Sequence, residues 1–307
     1  MDIIGKKYLY FLISLIIIIP GLTSLILFGL NLSIDFTGGT RVTLLFSKKI
    51  ERETTNKIRS ALMEQKVNVA SVETSDRMAF VRTSPMDQDQ NSKFLNSISS
   101  EFKEVKQTEL ETVGPTIGKE TTVNAVKAVL LASVLIVLYI TWSFRKVPKP
   151  ASSLRFGICA IIALIHDVLV VVGIFSILGH FLKVEVDSLF VTALLTIIGF
   201  SVHDTIVVFD RIRENLKKTS GVSFSQVVND SILQTLGRSL NTSLTVILVL
   251  ISLLLFGGES IRWFVVALLI GIISGTYSSI FNASPLLVVW EERSRKRKVK
   301  VSELIPL

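Results

Sequence analysis

The sequence predicts a multi-pass α-helical membrane protein with an α+β domain inserted between its first and second spans. Mean hydropathy is +0.57, above what an ordinary soluble domain carries. Six apolar runs are long enough to cross a bilayer, which takes about 20 helical residues. Between the first two runs lies a polar stretch whose apolar residues alternate between strand and helix spacing.

Along the chain the apolar runs fall at residues 8–30, 126–144, 154–178, 188–209, 240–256 and 263–290. Lys6 and Lys7 precede the first, as in a signal peptide. Its apolar stretch exceeds the usual length of about 7–15 residues, and no small-x-small site follows Leu30, so an uncleaved anchor is expected. The fifth run is short. Pro285 and several small residues in the sixth predict a kink.

Lysine and arginine set the expected orientation. Arg145, Lys146, Lys149 and Arg155 lie between spans two and three, and Arg211, Arg213, Lys217, Lys218 and Arg238 between four and five. The tail carries Arg293, Arg295, Lys296, Arg297, Lys298 and Lys300. These segments are expected in the cytoplasm with both termini. The connections "GHFLKVEVD" and "GGESIR", with only Lys183 and Arg262, are expected outside. The formal charge of +8 follows from these clusters, so nucleic acid is not an expected partner. The single cysteine, Cys159, excludes a disulfide framework and a metal-binding cysteine set, and reads as a small packing residue.

The inserted stretch is too long for a simple loop and should be a folded domain on the outer face. "TRVTLLFS" reads as a strand, and "ERETTNKIRSALMEQ" places Ile58 and Leu62 on one helical face. "VNVASVET" and "MAFVRTS" read as two strands about a turn at Ser75 and Asp76; a helix near 87–102 and the strand "VKQTELETV" follow. The order β-α-β-β-α-β is that of a ferredoxin-like fold, with one sheet face left open to a partner. The expected domains are 1–30, cytoplasmic N-terminus and first span; 31–123, periplasmic ferredoxin-like domain; 124–290, spans two to six; and 291–307, a basic cytoplasmic tail.

No P-loop, nucleophile elbow or metal-ligand cluster is present, and there are only three histidines, His166, His180 and His203. An enzyme, a cofactor or a resident metal is therefore not expected. What stands out is charge inside the spans, where a carboxylate costs about 2.5–3.5 kcal/mol on insertion scales. His166 and Asp167 lie midway along span three; Asp204 lies in span four with Ser201, Val208 and Arg211 on its face. His203 points about 100° away from that face. Arg238, opening span five, is expected to be within reach of Asp204. Plainer readings stand beside these: Arg238 as a snorkelling anchor, Asp204 as a packing residue, and His166 with Asp167 as a self-satisfied brace between helices. Asp210 and Glu214 read as a solvated helix end, and Gly38 and Gly39 as a tight turn.

"IDFTGGT" after the first span, "VGPTIGKE" before the second, "ALIHDV" in the third, "GFSVHDTIVVFDRIREN" in the fourth and "RSLNTSLT" at the fifth resemble, in order, the pattern of the SecF protein-export subunits. The resemblance implies the RND-like class of the SecD/SecF family, and an auxiliary role in which SecF and the homologous six-span SecD use the proton-motive force to promote late export through SecYEG. It implies SecD, SecYEG, YajC, YidC, the translocating polypeptide and protons as partners, at the cell inner membrane. It places proton transfer on Asp204 and Arg238, and a motif turn at Asp35, Gly38 and Gly39. The family commonly has asparagine before the aspartate; here the position is His203, a residue type that can change charge between about pH 5 and 8. Two other readings are an RND-like proton-driven exporter of a small molecule or lipid, and a non-transporting membrane scaffold.

Overall fold

The computed structural model describes residues 1–307 except 103, 146, 149–151, 219–220 and 305–307, and leaves out the side chains of 52, 75, 259 and 296–304. Lys146 and Lys149 thus lie outside the described residues, as do the side chains of Lys296, Arg297, Lys298 and Lys300. The chain opens with a 3-10 turn, Ile4–Lys6, and helix α1, Lys7–Phe28. There follow α2 (Ile34–Thr37), β1 (Gly39–Leu45), α3 (Arg52–Glu64), β2 (Val69–Ser75), β3 (Met78–Thr83), α4 (Gln88–Glu101) and β4 (Lys106–Val113). The remainder is helical: α5 (Pro115–Ser143), α6 (Ser153–Leu182), α7 (Ser188–Lys218), α8 (Phe224–Phe256), α9 (Arg262–Ser278), a π-helical segment Ser279–Ala283, and α10 (Ser284–Leu304). Two compact units result, Leu32–Lys127 and the combination of Met1–Asn31 with Ala128–Leu307.

In the inserted unit the four strands pair antiparallel in the order β2-β3-β1-β4, the ferredoxin-like arrangement that the sequence pattern predicts. Side chains alternate across a strand. Val42 and Leu44 of β1 and Ala79 and Val81 of β3 therefore pack against Ile58 and Leu62 of α3 and Phe94 and Ile98 of α4. The opposite face carries charge, with Arg41 paired to Glu111 at 2.7 Å and Arg82 to Glu73 at 3.7 Å. Helix α4 starts where Asp87 and Gln90 close a capping box. The β2–β3 turn puts Asp76 at φ 50°, a left-handed position that aspartate tolerates.

The two glycine-containing motifs of this unit meet. Gly38 ends α2 at φ 72°, and a Cβ added to it would come 2.9 Å from Pro115 Cα. A Cβ on Gly118 would come 2.8 Å from Gly38 N and 3.0 Å from the Phe36 carbonyl. Glycine is needed at both places because backbone lies against backbone.

Among the described residues six helices are long and apolar enough to cross a membrane, α9 and α10 being joined through the π segment as one. The protein is a multi-pass membrane protein. Helices α6, α7 and the α9–α10 rod are about half buried or more, while α1, α5 and α8 turn most of their apolar surface outward. Helices α1 and α6 touch at glycines: a Cβ on Gly21 would sit 2.9 Å from Gly173 Cα. One turn on, the Ser24 and Ser176 hydroxyls are 2.9 Å apart. Close approach through small residues is what holds helices together where lipid removes the hydrophobic drive. At one end of the bundle Phe144, Phe156 and Phe209 cluster, the last two with ring centroids 4.8 Å apart.

Two helices extend beyond their apolar runs, which corrects the placement of Arg238. Helix α8 begins at Phe224, where the Ser223 side chain accepts from Gln226 N. Arg238 is thus about four turns inside the helix instead of at its start. The early turns are amphipathic, burying Val227, Val228, Ile232 and Thr235, and a hydropathy window passes over such a segment. Helix α5 likewise begins at Pro115, a residue suited to the first helical position, ahead of the apolar run from 126. Near Pro285 the rod widens into the π segment. A proline supplies no N–H to the preceding turn, and a π turn is one way to absorb that loss.

Candidate functional site

Asp167, 1 % exposed, is the hub of a polar network inside the helical unit. Two helices turn small hydroxyl residues toward it. Ser201 Oγ of α7 donates to Oδ2 at 2.5 Å. Ser278 Oγ of α9 donates to the same oxygen at 2.7 Å, and Ser274 Oγ, one turn earlier on α9, donates to Oδ1 at 2.7 Å. His166 Nδ1 lies 3.0 Å from Oδ1. His166 Nε2 in turn lies 3.0 Å from Ser14 Oγ of α1, and Ser14 is held by the Asn282 amide of the π segment. Tyr277 stacks beside the imidazole with ring centroids 6.3 Å apart.

Asp204 is placed quite differently. It is 2 % exposed, yet its Oδ2 is buried without a hydrogen-bond partner. Ser239 Oγ of α8 is its near neighbour but stands outside hydrogen-bond geometry, and is likewise buried and unpartnered. Around this pair the helices are stitched by hydroxyls: Thr205 to Ser279 at 2.9 Å and Ser243 to Thr276 at 2.5 Å. A buried polar group without a partner is expensive. Of the two buried carboxylates, Asp167 has both oxygens partnered and Asp204 has one that is not.

The remaining residues singled out from sequence separate into two groups. His166 and Asp167 do meet, as the sequence pair suggests. Arg238 and Asp204 do not: Arg238 is exposed and makes no ion pair among the described residues, because Ser239 holds the inward position on α8. His203, one position from Asp204, is also exposed, as the rotation of about 100° per residue requires. Asp210 and Arg213 pair at 2.5 Å toward the C-terminal end of α7. In the inserted unit, Asp35 sits in the first turn of α2 and Gly38 and Gly39 form the turn into β1.

Sequence reasoning passed over Ser14, Ser274, Ser278 and Asn282. A signal existed, since Ser274 and Ser278 share one helical face in an apolar run, and Asn282 is an amide at membrane depth. Hydroxyl residues are common in spans, however, so spacing alone does not tell which of them converge.

Fold and site together define a class: a six-span helical bundle with buried carboxylates at its centre and a ferredoxin-like domain inserted after the first span. Residues 93–293 match the family described as "Protein export membrane protein SecD/SecF, C-terminal", and residues 23–50 match the "SecD/SecF GG Motif". The protein translocase subunit SecF of Thermobaculum terrenum is 50 % identical over 99 % of this chain and 98 % of its own length. The fused SecDF of Bacillus subtilis is 36 % identical over 96 % of this chain and 39 % of its own. The crystal structure of SecDF, a translocon-associated membrane protein from Thermus thermophilus, superposes with a TM-score of 0.83 at 36 % identity, covering 95 % of this chain and 39 % of that one. The chain belongs to the SecD/SecF family of protein-export membrane proteins.

Proposed function

We propose that this chain is the SecF-type half of a two-part auxiliary motor of the Sec translocase, pairing with a SecD-type half and using the proton-motive force to promote late export across the inner membrane. The observation that carries this reading is Asp204, a carboxylate buried in a membrane-spanning helix with an unpartnered oxygen. A group whose charge is uncompensated in one arrangement and neutralised in another couples proton uptake to helix movement, because the proton binds the two states unequally. A potential of 100 mV supplies about 2.3 kcal/mol per charge, enough to bias such an equilibrium.

Pairing with a second half is supported by the fused relatives, in which this chain matches 39 % of the length, and by the outward faces of α7 and α8. Thr192, Thr196, Gly199 and His203 form an exposed stripe on α7, and Arg238, Asn241, Thr242 and Thr245 one on α8. Polar stripes at membrane depth fit a protein partner better than lipid. Arg238 would then meet Asp204, or a charge of the partner, only in the assembled pair. The basic connections support a topology with both termini in the cytoplasm and the inserted unit on the outer face, where it would handle the emerging polypeptide.

The test uses inverted membrane vesicles with equal amounts of the subunits, and follows completion of a translocating chain with and without an imposed proton gradient. Asp204→Asn is expected to abolish gradient stimulation while leaving pairing intact. Arg238→Lys, which keeps the charge but loses the planar fork, is expected to retain part of it. Undiminished stimulation in Asp204→Asn would return that carboxylate to a packing role.

A further inference from the structure

We propose that the His166–Asp167 pair is a second proton-binding site of the membrane unit, in which His166 Nε2 takes the proton and Ser14 and the Asn282 amide reverse their hydrogen bonding in response. The argument is an accounting of donors and acceptors. Asp167 receives Ser274 and His166 on Oδ1 and Ser201 and Ser278 on Oδ2. Four donors fill the acceptor capacity of an ionised carboxylate. A protonated Asp167 would have to donate to one of these hydroxyls: Ser201 and Ser274 donate to no other acceptor among the described residues, while Ser278 could turn to the Gly275 carbonyl at 3.2 Å. The four-donor arrangement that the structure shows is the one an ionised carboxylate accepts, and in it the contact with His166 needs a hydrogen on Nδ1.

The other ring nitrogen is not committed in the same way. Ser14 Oγ lies 3.0 Å from His166 Nε2, 3.1 Å from Asn282 Oδ1 and 2.8 Å from Asn282 Nδ2. With neutral His166, the Asn282 amide donates to Ser14 and Ser14 donates to Nε2. With a second proton on the ring, Nε2 donates to Ser14 and Ser14 donates to Asn282 Oδ1. Both arrangements satisfy Ser14, His166 and Asp167, Asn282 Oδ1 gains its Ser14 donor only in the protonated one, and passing between them needs only hydroxyl and amide reorientation. Uptake also turns a site of net charge minus one into a neutral imidazolium–carboxylate pair.

The groups meeting the pair from each packed element are few. Helix α1 offers Ser14, α7 offers Ser201, the π segment offers Asn282, and α9 offers its two serines and Tyr277. Only Tyr277 among these titrates, and its hydroxyl donates to the Tyr10 carbonyl at 2.8 Å while lying beside Ser14. Asp204 of α7 faces Ser239 of α8 instead. The proton state of His166 is therefore read by α1 and by the π segment, the widened turn of the α9–α10 rod. Single π turns of this kind recur at functional sites. This site stands apart from the Asp204 reading, and either can hold without the other.

The chain has three histidines, and His180 and His203 are exposed. The double variant His180→Gln, His203→Gln of the full chain, labelled with [15N]histidine and placed in lipid bilayers, therefore reports His166 alone by nitrogen NMR. The expected result is an Nδ1–H tautomer at high pH that becomes doubly protonated on acidification toward pH 4. In an added Asn282→Leu variant Ser14 loses its acceptor, and the doubly protonated fraction at a given pH is expected to fall at least tenfold. A ring that stays neutral down to pH 4, that carries its single hydrogen on Nε2, or that titrates identically with Asn282→Leu overturns the proposal. None of these readings depends on export activity, so failure here and failure of the Asp204 reading are separate results.

Discussion

Replacing each buried carboxylate by asparagine is expected to have opposite consequences for stability. In Asp167→Asn the amide presents donors where one carboxylate oxygen accepted two hydrogen bonds, so two of the four donors face an –NH2 group. His166 can recover its contact by exchanging tautomers, and Ser278 has the Gly275 carbonyl at 3.2 Å as a fallback; the loss is one or two bonds. Interhelical hydrogen bonds in membranes average about 0.6 kcal/mol and reach about 1.7, which puts the destabilisation at about 1–3 kcal/mol. Asp204→Asn forfeits no bond to Oδ2, because Oδ2 has none, and it replaces a buried ionisable group with a neutral amide of nearly the same size. It is expected to leave stability unchanged or raise it slightly. Reversible unfolding of the full chain in mixed micelles, titrated with SDS and followed by tryptophan fluorescence, compares the two variants directly. A larger loss for Asp204→Asn than for Asp167→Asn would refute the assignment of one carboxylate as satisfied and the other as free.

Further outcomes are expected elsewhere in the chain. Gly173→Val drives a side chain into the Gly21 backbone and should cost about 1–3 kcal/mol by overpacking, read in the same unfolding assay, whereas Leu135→Val on the outward face of α5 should be near neutral. Gly38→Val combines a positive φ with a clash at Pro115 and should make the inserted unit protease-sensitive, with backbone strain of about 1–3 kcal/mol. A cysteine at Ser84 should label from outside in intact cells and one at Val222 only after the membrane is opened; the reverse pattern would invert the topology. Crosslinkers placed from Arg41 to Thr112 should capture a stalled translocating chain, and silence there alongside capture by other subunits would remove the inserted unit from substrate handling.

Where periodicity governs structure, the sequence is read almost directly. The six spans and the β-α-β-β-α-β order follow from apolar spacing, since a bilayer selects length and a half-buried sheet selects alternation. The candidate residues of the spans are legible for the same reason: a charge in an apolar run is conspicuous. Helix ends are less so. The amphipathic opening of α8 carries too many polar residues to register as a span, which set Arg238 at the helix start when it lies well within.

Architecture and the short roster of intramembrane charges are therefore legible in local pattern. What each charge meets is set by tertiary packing. The three hydroxyls on Asp167 come from positions 34, 107 and 111 residues away, and no local rule links them. Whether a carboxylate is satisfied or left open depends on which side chains of other helices converge on it, and that is set by glycine contacts and helix rotation. At one residue per 100° of turn, the step from Arg238 to Ser239 separates an outward cation from the inward neighbour of Asp204. That angle is fixed by packing, because each helix buries its small residues against the next and carries every other side chain round with them.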